Sequence, residues 1–163
     1  MKRNITFCLF SSALLAMSVA HAGDKLHLAG TYQCTGYDSY SGFYTGVVKL
    51  TLDPKASNVK QNYGAYSFSY SARVPGIKTP FNYAGEAAAH GDLLAIYYQN
   101  VNQKDDADDR GVGIATISRV QDAKGNFVVS FQKFYYEPKY LRDQTGPTGQ
   151  AGGTGTETCV QQN

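Results

Sequence analysis

Two cysteines near opposite ends of the chain, Cys34 in GTYQCTG and Cys159 in GTGTETC, constrain the fold more than any other feature. A third, Cys8, lies in the opening MKRNITFCLFSSALLAMSVAHAG. There Lys2 and Arg3 precede an apolar run from Ile5 to Ala20, and Ala20-His21-Ala22 supplies the small-x-small pattern a signal peptidase needs. Residues 1–22 read as a secretory signal peptide, and 23–163 as a single mature domain. Cys8 comes too early, behind Ile5-Thr6-Phe7, to be a lipid-attachment site. Once it is cleaved away, Cys34 and Cys159 have no competitors and pair with each other in an oxidising compartment. Closing a loop of about 125 residues stabilises a fold by about 5 kcal/mol on the chain-entropy model.

Cleavage leaves 141 residues, enough for one domain with a core and too few for two of usual size. Lys2 and Arg3 leave with the signal, so basic residues fall from 15 to 13 against 13 acidic ones, and the net charge is zero. With no run of Lys or Arg either, neither nucleic acid nor anionic lipid is an expected partner. No later segment reaches the roughly 18 apolar residues of a membrane helix. The expected product is exported, either periplasmic or secreted.

The mature chain reads as short strands separated by turn chemistry. Gly30–Gly36 is the first and Tyr44–Leu52 the second, ended by Asp53-Pro54. The third, Gly64–Ala72, has the cleanest period of two, with Tyr66, Phe68 and Tyr70 on one face and Ser67, Ser69 and Ser71 on the other. Val74-Pro75-Gly76 turns the chain toward Phe81–Ala89, and His90-Gly91-Asp92 turns it into Leu93–Asn100. After the charged loop NQKDDADDR come Gly111–Gln121, the turn DAKGN and Phe127–Glu137. A long Gly/Pro/Thr/Gln loop, Pro138–Gly152, leads to Gly153–Val160. No dozen-residue window carries a helical apolar stripe. The alanines of Glu86–His90 are too short a run for a helix and read as strand.

Eight short strands with mostly short connections predict an all-β fold: an eight-stranded antiparallel up-and-down barrel, whose closure removes exposed edges. In such a barrel the first and last strands are neighbours, which brings Cys34 and Cys159 within the roughly 7 Å between α-carbons that a disulfide requires. A two-sheet sandwich is the alternative.

The opening Gly30-x-Tyr32-x-Cys34-x-Gly36-x-Asp38, the strand GVGIATI and the closing GTGTETC resemble small exported bacterial proteins with lipocalin-like (calycin-type) barrels. Lipocalins proper place a tryptophan after the first-strand glycine. This chain has no tryptophan, and Tyr32 takes the comparable place. The same lack separates it from biotin-binding barrels. The resemblance implies a fold and carries no site residues.

Little in the sequence suggests catalysis. His27 lies in the lead-in to the first strand and His90 in a hairpin turn, and both read as surface residues. There is no Gly-x-Ser-x-Gly elbow, no His-Glu-x-x-His and no free thiol. GVGIAT and GTGTET lack the third glycine of a dinucleotide fingerprint, so their glycines are expected to relieve crowding or permit curvature. Asp105, Asp106, Asp108 and Asp109 lack the ligand spacing of a helix-loop-helix calcium site and read as solvated charge. No enzyme, cofactor or metal is expected.

The thirteen tyrosines, all in the mature part, are the strongest signal of function. Cores usually favour Leu, Ile and Val, and a buried tyrosine needs a partner for its hydroxyl. Three readings follow: an aromatic, partly polar cavity for a small ligand, an outer tyrosine patch that docks a partner, or a barrel filled by its own rings. The expectation carried forward is a non-enzymatic binding protein for a small apolar or aromatic ligand, with Tyr66, Phe68, Tyr70 and Tyr97 lining its site. The alternative is a protein-interaction module, an inhibitor or scaffold meeting envelope or host proteins through Asp38–Phe43 and Pro138–Gly152.

Overall fold

Alternation of buried and exposed residues along nearly every strand leaves one apolar face to cover, and the sheet covers it by rolling up on itself. In the computed structural model, residues 27–102, 109–139 and 153–162 are described. The expected signal peptide, Asp105, Asp106, Asp108 and most of the Pro138–Gly152 loop lie outside them. The strands are β1 (Gly30–Asp38), β2 (Gly42–Asn58), β3 (Tyr63–Arg73), β4 (Phe81–His90), β5 (Leu93–Asn100), β6 (Arg110–Gln121), β7 (Phe127–Tyr136) and β8 (Thr154–Gln161). Each pairs antiparallel with the next, and β8 pairs with β1, giving a closed barrel. Closure excludes the sandwich. Among the described residues no helix is long and apolar enough to cross a membrane.

At the seam Cys34 and Cys159 are register partners, with α-carbons 4.1 Å apart and the sulfurs bonded at 2.04 Å. Both are fully buried, so the disulfide lies inside the barrel. It also sets the phase of the two end strands. Counting by twos from Cys34 sends Tyr32, Gly36 and Asp38 inward, and from Cys159 it sends Glu157 and Gly155 inward.

One strand runs longer than the sequence suggests. Asp53-Pro54 does not end β2, which continues to Asn58 through a register shift between Asp53 and Asn58. The Asp53 carboxylate accepts from the amide of Lys55 at 2.9 Å and of Ala56 at 3.3 Å. The Ser57 hydroxyl accepts from the Ala65 amide at 2.9 Å. Side chains thus supply the bonds a regular ladder would, so the irregularity is tolerated.

The two ends of the barrel differ. Around the chain's entry, Leu28, Tyr32, Val48, Leu50, Leu94, Ile96, Ile117 and Phe131 are buried together. The Tyr32 hydroxyl donates to the Leu28 carbonyl at 2.8 Å, and the Tyr32 and Phe131 rings lie 5.1 Å apart. This half is a packed plug. The other half is built from tyrosine and glycine. An added Cβ at Gly36 would meet the Tyr44 phenol at 2.4 Å, at Gly46 that of Tyr70 at 2.3 Å, at Gly111 that of Tyr98 at 2.5 Å, and at Gly155 that of Tyr135 at 2.2 Å. Three of these pairs face each other directly across neighbouring strands. The glycines therefore do relieve crowding: each leaves bare backbone against which a tyrosine ring packs.

Candidate functional site

The rings on that wall surround a cavity of about 550 Å3 at the barrel mouth. Tyr44, Tyr70, Tyr83, Tyr98 and Tyr135 form its sides, and Tyr40, Ser41, Val74, Pro75 and Ile77 its rim. The rim is local chemistry. Asp38 ends β1 and its carboxylate accepts from the amides of Tyr40 and Ser41, both at 2.8 Å, which tightens the turn into β2. Val74-Pro75-Gly76-Ile77 closes with the Ile77 amide donating to the Val74 carbonyl at 3.1 Å. Gly76 there has φ 84°, the conformation that favours glycine at the third position of such a turn.

The rings interlock. Tyr70 stacks on Tyr83 at 6.3 Å, Tyr83 meets Tyr98 edge-on at 5.4 Å, and Tyr98 meets Tyr135 edge-on at 6.5 Å. Their hydroxyls are directed at carboxylates: Tyr98 donates to Glu137 at 3.0 Å, Tyr135 to Asp38 at 3.1 Å and Tyr70 to Glu157. The buried tyrosines thus have the partners burial requires, and those partners are acids in the barrel's interior.

The floor is an ion pair. Lys133, 3% exposed, places Nζ 2.5 Å from Oε2 of Glu157, 2% exposed. The same ammonium lies 5.1 to 5.9 Å from the ring centres of Phe68, Tyr70, Tyr98 and Tyr135, a cage of negative ring faces. Removing one member of a buried pair leaves the other charge uncompensated, at a cost of about 3–5 kcal/mol. Lys133→Met is therefore expected to lower the chemical-denaturation stability by about that much. Adding Glu157→Gln is expected to recover most of it, and a single variant as stable as the parent would remove the floor from this description.

Glu137 is a buried carboxyl in the cavity wall. Burial, reinforced by the negative charge of Asp38 and of Asp109, pushes it up to about 7, against the pull of the Tyr98 hydrogen bond and Lys133. A carboxyl raised on folding favours the folded state where it is protonated. That contribution is complete below the unfolded value of 4.5 and is lost as pH rises through 7. The corresponding stability is about 3 kcal/mol. Glu137→Gln, which keeps an acceptor for Tyr98, is expected to flatten this decline and to melt higher than the parent at pH 8. Melting curves at pH 5 and pH 8 check it, and an unchanged slope contradicts it.

Of the residues expected to line a ligand site, Tyr70 lines the mouth cavity. Phe68 lies just below, 6.2 Å from Tyr70 and 6.1 Å from Tyr98, under the Lys133 ammonium. Tyr66 is buried but belongs to the plug half, where it covers Gly64. Tyr97 corrects the expectation: it is 43% exposed on the outer wall opposite Val112, because strict alternation along β5 turns Tyr98 inward in its place. His27 and His90 are exposed, away from the mouth. Asp109, read from sequence as solvated, is buried, and its carboxylate accepts from the side-chain Nδ2 of Asn100 at 2.6 Å.

Sequence reasoning missed Lys133, Glu157 and Glu137, and offered Asp38 only as the start of the Asp38–Phe43 docking stretch. On β7 it met an inversion, since Lys133 faces in while Phe134 on the outside is 52% exposed. The signal available was the phase set by the cysteines, which places Asp38 and Glu157 inside without reference to hydrophobicity.

No family model matches the chain, and no curated protein matches it in sequence. Among solved structures, that of EF1p2_mFAP2b bound to DFHBI is similar over 88% of this chain and 100% of that chain. The TM-score is 0.50 and the identity 15%, a likeness of fold.

Proposed function

We propose that this chain is an exported, non-enzymatic binding protein that takes a small aromatic or apolar molecule into the mouth cavity. The observation that carries the reading is the division of the barrel into a packed plug and a tyrosine-walled cavity of about 550 Å3, a volume typical of small-molecule sites. The walls are held before any ligand arrives, by glycine backbone behind the rings and carboxylates on their hydroxyls, so little ordering opposes binding. Export is supported by the interior disulfide and by the leader's sequence. EF1p2_mFAP2b, with which this chain shares a barrel, holds DFHBI in its structure, and that supports a small-ligand role for such a barrel. The test is thermal melting of the oxidised mature protein against a panel of lipophilic and aromatic compounds. A ligand at 100 times its Kd adds about 2.7 kcal/mol, a shift of several degrees, and no shift with any compound would count against the reading.

One observation favours a second reading, docking of a protein partner. Tyr97 and Val112 face each other on the outer wall, as do Ile114 and Phe134, and all four are exposed. Recovery of a specific envelope or host partner by the parent but not by Ile114→Lys would favour it.

A further inference from the structure

We infer that the mouth cavity selects an organic cation, a molecule with an aromatic or apolar body and an ammonium or amidinium head. The inference rests on the binding reading above and concerns the charge of what is bound.

The charge balance of the lining points this way. Lys133 is the one cation among the described lining residues, and Glu157 answers it at 2.5 Å. Asp38 and Glu137 also line the cavity. Their hydrogen bonds come from neutral donors: the amides of Tyr40 and Ser41 and the hydroxyl of Tyr135 for Asp38, and the hydroxyl of Tyr98 for Glu137. Among the described residues neither of these two carboxylates has a salt-bridge partner of its own, and both stand beside a wall of ring faces.

The walls also disfavour an anion. The Tyr70, Tyr98 and Tyr135 hydroxyls, the natural donors to an anionic ligand, are already directed at protein carboxylates. Burial is the largest cause that raises all three well above the usual tyrosine range, with neighbouring phenols and carboxylates adding to it, so they stay neutral. The interior itself shows what such rings accommodate, since four of them surround the Lys133 ammonium. Val74, Ile77 and Phe81 at the entrance suit the apolar body of the same molecule. A second cation placed between these rings and Asp38 or Glu137 meets attraction from both.

The test uses three fluorescent probes on the oxidised protein: thioflavin T as the cation, N-phenyl-1-naphthylamine as the neutral compound and its sulfonated relative 1-anilinonaphthalene-8-sulfonate as the anion. At pH 8 thioflavin T is expected to bind at least about tenfold more tightly than the sulfonate. Its affinity is expected to fall toward pH 6 as Glu137 takes up a proton. The groups around that carboxyl are Asp38 from β1, Tyr44 from β2, Tyr98 from β5, Asp109 before β6, and Lys133 and Tyr135 from β7. Glu137→Gln, which keeps an acceptor for Tyr98, and Asp38→Asn, which keeps the oxygen that accepts from the Tyr40 and Ser41 amides, are each expected to weaken thioflavin T about tenfold and to leave the neutral probe unchanged. The parent's pH profile stands independently should either variant fold poorly. Binding of the neutral probe with no preference for the cation would overturn the charge inference and leave the binding reading intact. Binding of none of the three would overturn both.

Discussion

Raising the pH past 10 is expected to unfold this barrel within about one pH unit. Tyr32, Tyr44, Tyr66, Tyr70, Tyr98 and Tyr135 all have their hydroxyls raised above the ordinary value of 10.0, burial being the largest cause in each. In the folded barrel they hold their protons while the unfolded chain loses them. Their contribution is complete below pH 10 and is lost as pH climbs toward the folded values. Each group held protonated costs about 1.4 kcal/mol per pH unit, and six together about 8. That slope is comparable to the whole stability of an ordinary domain, about 5–15 kcal/mol. Tyrosinate absorbance and circular dichroism recorded together check it. The six should ionise in step with the loss of the strand signal, and ionisation of every tyrosine with the barrel intact would contradict the burial described here.

The second large effect is expected from the seam. Replacing Cys34 and Cys159 together by alanine removes a link between residues 125 apart in sequence and should cost about 5 kcal/mol. For a domain of this size the melting temperature then drops by roughly 15 °C. Because both sulfurs are buried, a reductant should act only on molecules that have already opened, so reduction should be slow below the melting transition. A double variant melting within a few degrees of the parent would show that the sheet stays closed without the bond.

Much of this fold could be read from the residues. Period-two alternation in GAYSFSYSA and turn residues such as His90-Gly91-Asp92 are local signals, and the structure follows them with strand ends moved by a few positions. The pairing of Cys34 with Cys159 was readable because the sequence offers no competitor outside the expected signal peptide, and the end strands of a closed meander adjoin. The site was less legible for a physical reason. In strands apolar on both faces, such as Leu93–Tyr98, composition does not say which set turns inward, and Tyr97 was placed on the wrong side. Lys133 was invisible for the opposite reason, because a lysine is buried there only by virtue of Glu157, whose inward place only the phase of Cys159 could give. Nor does a sequence show that Gly36, Gly46, Gly111 and Gly155 serve the tyrosines, since all four contacts cross between strands, three directly and one on the diagonal.

Filling the space between the rings gives the sharpest measurement. Ala72 lines the cavity and faces inward from β3, so Ala72→Phe puts a ring of the protein's own where a guest would sit. N-phenyl-1-naphthylamine titrated into parent and variant should bind the parent and lose at least about tenfold in affinity for the variant, with the far-ultraviolet spectrum unchanged. A parent that binds nothing, or a filled barrel that binds as well as the open one, would mean that the tyrosine chamber is not where this protein holds a ligand.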